Sequence, residues 1–291
     1  VSARPRGWLP VLGLFGVALS LGLGHVCSRL AFTNGVNVLT AAAVRSVLAA
    51  LLLYLLLRAR RTAVFPLPPA FRACLGLGVL IAVQTAAIQT SVALMPVTLA
   101  LLVFYTYPFF TSLAASALGD ERLSLRLLAA LAAAFAGLAL VLGVGPASAS
   151  LPGIGAALVA SAAFTGALVL TPRLAPGIGA PLRTLLMLAT AAALFVTTAL
   201  ATGKFALPDN AAAWFGLSGL AAFYAVGIIG LFLLLPLLGP TQTAVVLNLE
   251  PVIVAIVAWL ALGEALTAAQ WAGALIVVGA VIAFQVTASR R

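Results

Sequence analysis

Acids are almost missing from this sequence. Five Asp and Glu stand against fifteen Lys and Arg, with one histidine and two cysteines in 291 residues. Charged residues make up 7% of the chain, where a soluble domain carries about 25%. With 64% hydrophobic residues and a mean hydropathy of +1.26, the chain cannot hide its apolar area in a core of its own. Its solvent has to be largely lipid. Cys27 and Cys74 fall in different apolar segments without CxxC or metal spacing, so they read as small buried hydrophobes. HExxH and GxxxxGK[ST] are absent, which leaves no motif for catalytic zinc or ATP, and no metal or cofactor is expected. A net charge of +10 would suit nucleic acid, but the basic residues form no stripe or aromatic-interleaved patch, so nucleic acid is set aside.

What is present is a series of apolar runs. A membrane helix needs about 20 mostly apolar residues. Ten runs qualify: 8–30, 38–57, 70–95, 97–118, 124–144, 152–172, 182–202, 211–234, 241–262 and 268–288. Between them lie turn sequences such as FPLPP (65–69), LGDERLS (118–124), GPASASLPG (145–153), APGIGAP (175–181) and LPDN (207–210). Gly and Pro end helices, and Ser, Thr, Asp and Asn cap new ones. Arg4 and Arg6 precede the first run in the manner of a signal peptide. With so many runs behind it, the first reads as a permanent span. The ten-residue alternation of a membrane β-barrel is absent. Twelve of the fifteen basic residues, Arg183 among them, fall at the termini or in the loops on their side. Only Arg29 and Lys204 lie opposite, and Arg45 lies within span 2. Both termini are therefore expected in the cytoplasm.

The chain also resembles itself. Shifted by 143 residues, 98–130 falls on 241–273 without a gap, so that Thr98 meets Thr241, Pro108 meets Pro251 and Glu121 meets Glu264. A shift of 144 puts SRLA (28–31) on PRLA (172–175) and Gly35 on Gly179. The repeats are 1–147 and 148–291, with five spans each. Five is odd, so the second half enters from the opposite face. The expected fold is all-α and integral to the membrane: ten transmembrane helices in two five-helix repeats of inverted topology. Inverted repeats that exchange conformations are a common plan of secondary transporters.

Spans 9 and 10, LNLEPVIVAIVAWLALGEALTAAQWAGALIVVGAVI (247–282), carry a mid-helix proline, Leu-Gly-Glu, a hydroxyl-capped turn and a Gly-rich last helix. The residues are Pro251, Leu262, Gly263, Glu264, Thr267, Gly273 and Gly279. The first half repeats part of this at Pro108, Glu121, Leu123, Ser124 and Gly137, with Asp120 where glycine is common. This pattern resembles the drug/metabolite transporter superfamily, EamA branch. The resemblance covers essentially the whole chain and implies export of amino acids or other small metabolites and drugs across the bacterial inner membrane. It leaves the substrate open.

Glu250 is the acid that loops do not explain. A charge near mid-membrane costs at least about 2.5–3.5 kcal/mol on insertion scales, so it faces a cavity or a partner. It is either a site for protons or a substrate amine, or a neutral acid bonded to a carbonyl freed by Pro251. The repeat puts Tyr107 opposite Glu250, so the acid marks one half only. Pro108 and Pro251 each remove a helix hydrogen bond and are expected as kinks, either gating or static. Arg45 would take a substrate carboxylate, pair with Glu250, or snorkel to the headgroups. His25 is a proton relay or an interfacial histidine. Gln84, Thr85, Gln89, Tyr105, Tyr107, Ser218, Tyr224 and Asn248 line a pocket or bond between helices. Glu121 and Glu264 read as structural acids at helix starts, with Ser124 and Thr267 as caps. Trp8 and Trp214 read as interface anchors. Gly22, Gly24, Gly76 and Gly78 are expected to let helices approach closely.

Two other classes compete. GLSG (216–219) resembles the Gly-x-Ser-Gly of rhomboid-type proteases, but the sole histidine precedes it, and Asp120 and Asp209 lie in loops. A channel needs a ring of polar groups, which one acid cannot supply. The reading is a secondary transporter exporting amino acids or similar small metabolites by alternating access, with a cationic-drug exporter as the alternative. Its expected partners are a small-molecule substrate, the bilayer, and protons or an exchanged solute.

Overall fold

The computed structural model describes residues 8–62, 64, 70–120, 123–143, 150–262 and 265–288. The described residues are helices joined by short turns. The first repeat holds α1 (Trp8–Thr33), α2 (Val38–Ala59), α3 (Phe71–Leu94), α4 (Val97–Phe104), α5 (Tyr107–Ala117) and α6 (Leu125–Val141). The second holds α7 (Leu151–Leu174), α8 (Ala180–Ala201), α9 (Ala211–Leu238), α10 (Pro240–Leu247), α11 (Glu250–Leu262) and α12 (Ala268–Ala288). Spans 4 and 9, each expected as one kinked helix, are each split in two. With α4–α5 and α10–α11 counted as single spans, nine spans among the described residues are long and apolar enough to cross a membrane. The tenth, α6, has 17 residues, about 26 Å at the helical rise, the low end of what spans a bilayer.

The caps are where the turn residues put them. Asn37, Ser124, Ser150 and Asn210 accept hydrogen bonds from the first-turn amides of Thr40, Leu127, Gly153 and Ala213. Thr267 and Gln270 cap α12 reciprocally, each side chain accepting from the other's backbone N–H at 2.9 and 3.2 Å. Glu121 and Glu264, with Gly263, lie outside the described residues, as does the side chain of Trp8.

The packing interleaves the two repeats. Six helices form a row, α7–α3–α8–α2–α9–α1, in which neighbours alternate between second and first repeat. The pairs α1–α9 and α7–α3 are the same contact in its two repeat copies. The pairs α2–α8 and α6–α12 join equivalent helices, as a pseudo-two-fold relation requires. At the ends of the row, α5 packs on α7 and α11 on α1. Lipid tails are as apolar as leucine, so association depends on close packing instead. Glycines provide it. A Cβ on Gly78 would lie 2.6 Å from the Met187 carbonyl, and one on Gly216 2.5 Å from the Ala31 amide. Gly137 and Gly273 bring α6 and α12 together backbone to backbone. Gly22 and Gly24 also pack closely, against α11 and α9, but Gly76 faces open space. Large side chains such as Leu275 and Phe215 point outward, exposed to lipid.

Candidate functional site

The site is built on the two broken helices. Proline lacks an N–H, so neither Pro108 nor Pro251 can close the helical bond to the residue four before it. Each proline is the second residue of its half-helix, where no such bond is needed. The preceding turns tighten to three-residue spacing. The Thr106 amide donates to the Val103 carbonyl at 3.1 Å, and the Asn248 and Leu249 amides donate to Val245 and Val246 at 3.2 and 3.0 Å. The breaks, Tyr105–Thr106 and Asn248–Leu249, coincide under the 143-residue shift.

The two breaks are furnished differently. In the first repeat, α7 supplies hydroxyls. Thr106 Oγ1 pairs with Ser161 Oγ at 3.1 Å, and Thr165 Oγ1 donates to the Tyr107 carbonyl at 3.2 Å. Around them Phe104, Tyr105, Tyr107 and Phe164 form an aromatic cluster, with Tyr107 and Phe164 edge to face at 4.9 Å. The Tyr107 hydroxyl reaches the Ala244 carbonyl of α10 at 3.4 Å and ties one break to the other. In the second repeat, Glu250 opens α11, at the positive end of a half-helix that favours an anion. Its Oε1 lies 2.8 Å from His25 Nε2 on α1. The Glu250 side chain is 12% exposed and that of His25 54%, so the imidazole forms the open side of the pair. Tyr105 and Tyr107 lie within electrostatic range of the carboxylate.

A second polar group joins α2, α3 and α9. The Arg45 guanidinium lies over the Tyr224 ring, 4.4 Å from its centroid, and donates weakly to Thr85 Oγ1 at 3.4 Å. Thr85 in turn donates to Gln84 Oε1 at 3.3 Å. Among the described residues, Arg45 Nε is buried without a partner, as is the side-chain oxygen of Asn248 at the second break. A Cβ on Gly24 would lie 3.8 Å from the Tyr224 amide, so the α1–α9 contact sets the Tyr224 backbone against the residue before His25.

The sequence candidates thus separate. Glu250 and His25 come together, with Tyr105 and Tyr107 near, and Asn248 lies in the break itself. Arg45, Gln84, Thr85 and Tyr224 form the neighbouring network. Arg45 makes no ion pair with Glu250 among the described residues, because His25 holds that carboxylate. Gln89 is half-buried on α3 outside these bonds. Ser218 is exposed and donates back to the Trp214 and Phe215 carbonyls of its own helix. The glycines of GLSG instead serve packing, with Gly216 against Ala31 and Gly219 against Cys27. Trp259 and Trp271 stack edge to face at 5.3 Å. The sequence reading missed Ser161, Thr165 and Phe164. A hydroxyl pair four residues apart in an apolar helix was the available signal. Arg183, expected as a loop cation, is 4% exposed, because it sits inside the start of α8 against α3 and the α7–α8 turn.

A membrane-spanning inverted repeat whose broken helices meet at a polar site is the architecture of a secondary transporter. The EamA-like transporter family matches residues 8–143 and again 151–285, and the chain belongs to that family of membrane transporters. A solved crystal structure, described only as that of a protein, has the same fold with a TM-score of 0.83. It is 18% identical and covers 99% of this chain and 100% of its own. No curated protein matches.

Proposed function

We propose that this transporter exports amino acids or similar small zwitterionic metabolites by alternating access, with Glu250 receiving the substrate ammonium and Arg45 its carboxylate. Carrying the proposal is a half-helix that begins on a mid-membrane acid, with a guanidinium at the neighbouring α2–α9 contact whose Nε has no partner among the described residues. Asn248 offers a further unpartnered acceptor at the break. His25 occupies the acid in the present arrangement, so a substrate amine has to displace it. The repeats, divided near residue 148, interleave, so the moving bodies are mixed bundles of helices rather than the sequence halves. Pro108 and Pro251 supply matched bends at which α5 and α11 pivot. The basic residues favour a bacterial inner membrane with both termini in the cytoplasm.

The aromatic cluster next to Glu250 favours one alternative, a cationic-drug exporter, since rings and an acid together suit a large cation. Counterflow in proteoliposomes separates the readings. Arg45→Gln is expected to weaken binding of amino acids about tenfold or more, the worth of a charge-assisted hydrogen bond, and to leave carboxylate-free amines unaffected. Equal loss for both classes, or preference for organic cations, sinks the zwitterion reading. Flux that neither saturates nor supports counterflow points to a channel.

A further inference from the structure

Arg183 has no role in the site above, and its surroundings do not account for it. It is 4% exposed in the second turn of α8. Around it lie Cys74, Ala175 and Ile178, with Ala70, Leu182 and Leu186 packed against them. Its Nη1 donates to the Ala175 carbonyl at a long 3.3 Å. Nε and Nη2 are both buried without a partner among the described residues. The Cys74 thiol feels the charge but accepts from neither nitrogen. A buried charge left uncompensated is strongly unfavourable.

Nε–H and the adjacent Nη2–H lie on one edge of the planar guanidinium, and that edge matches two oxygens of one anion. The start of α8 adds the positive end of a helix whose cap, Gly179, offers no side-chain acceptor. Arg72, exposed on the first turn of α3 two residues before Cys74, adds a cation at the same end. The charge distribution puts this end in the cytoplasm, where anionic headgroups gather. The edge is closed in this structure, so entry requires the α7–α8 turn to move. Pro176 and Gly177 in that turn are exposed, and nothing lies within 4 Å of a Cβ on Gly177.

We infer that Arg183 is the core of an oxyanion site between the cytoplasmic ends of α3, α7 and α8. Its ligand is a phosphate group, held in a fork by Nε and Nη2 and belonging either to an inner-leaflet phospholipid or to a soluble phosphate. This is separate from the transport site and does not depend on the substrate proposed for it.

The test uses the full chain in nanodiscs of digalactosyldiacylglycerol, which has no phosphate, and reads the thermal midpoint. Adding phosphatidylglycerol is expected to raise the midpoint of the wild type and leave that of Arg183→Met unchanged. Arg183→Lys gains part of the rise, since an ammonium lacks the fork. In phosphate-free discs Arg183→Met unfolds no earlier than the wild type. Inorganic phosphate is the second arm. A rise with phosphate but not with the lipid assigns the site to a soluble ligand, and the reverse to the headgroup. If neither raises the wild-type midpoint, or if Arg183→Met rises equally, the site does not exist. Native mass spectrometry of the wild type and Arg183→Lys gives a readout independent of Arg183→Met. Equal retention of phosphatidylglycerol by the two also overturns the assignment.

Discussion

Glu250→Gln is expected to fold and insert normally and to lose transport. The amide has the size of the acid and can still bond His25, so packing around α1 and α11 is retained. What disappears is the charge. A hydrogen bond to a charged group is worth about 1.5–3 kcal/mol, so binding of an ammonium substrate should weaken by about 10- to 100-fold. Any response of flux to an imposed pH gradient should vanish with it, because neutral Gln leaves His25 without its anion. The measurement is counterflow and gradient-driven flux in proteoliposomes, with thermal stability as the folding control. Transport and pH response both unchanged would return Glu250 to a structural role. The repeat strengthens the expectation. Tyr107 holds the equivalent position in the first half and is spent on the Ala244 carbonyl, so no second acid can substitute.

The largest loss of stability is expected at the glycine crossings. A Cβ on Gly273 would lie 2.5 Å from the Gly137 carbonyl oxygen and 2.9 Å from the Val141 amide, and one on Gly216 2.5 Å from the Ala31 amide. These neighbours are backbone and cannot swing aside, so α12 must separate from α6, or α9 from α1. Overpacking of this kind costs about 1–3 kcal/mol and occasionally more. Gly273→Ala and Gly216→Ala should therefore lower the thermal midpoint in detergent. Gly76→Ala and Gly155→Ala face open space and should be neutral or gain about 0.5–1 kcal/mol, the helix preference of alanine over glycine. If all four behave alike, close helix approach is not what holds the bundle.

Much of this arrangement was legible in the sequence because its causes are local. Lipid as solvent imposes long apolar runs, and a missing N–H at Pro108 and Pro251 announces a bend, though not the full break, since Pro172 and Pro236 stand inside continuous α7 and α9. Hydroxyl and amide caps bond amides three residues away, so Ser124 and Asn210 announced their helices. The 143-residue shift showed that the two breaks correspond, and the odd number of spans showed that the halves are inverted. Composition and repeat also separated Glu250 from the acids of the loops.

The partners of those residues depended on which helices meet, and no local rule sets that. Sequence offered Arg45 as a partner for Glu250 and did not connect His25 to it. The interleaved row places α1 against α11 and puts α2 beside α9, so His25 takes the acid and Arg45 turns to Tyr224. Interleaving likewise buried Arg183, which in sequence stands among loop cations, and turned the glycines of a protease-like GLSG into contact points for α1. In the absence of a hydrophobic drive between helices in lipid, the choice of neighbour falls to surface shape, above all where glycine lets backbones touch. Sequence by itself determined that this chain spans a membrane as two inverted five-span halves bent at matched prolines. The tertiary structure alone decided that the halves interleave, and therefore which charges meet and which remain unanswered.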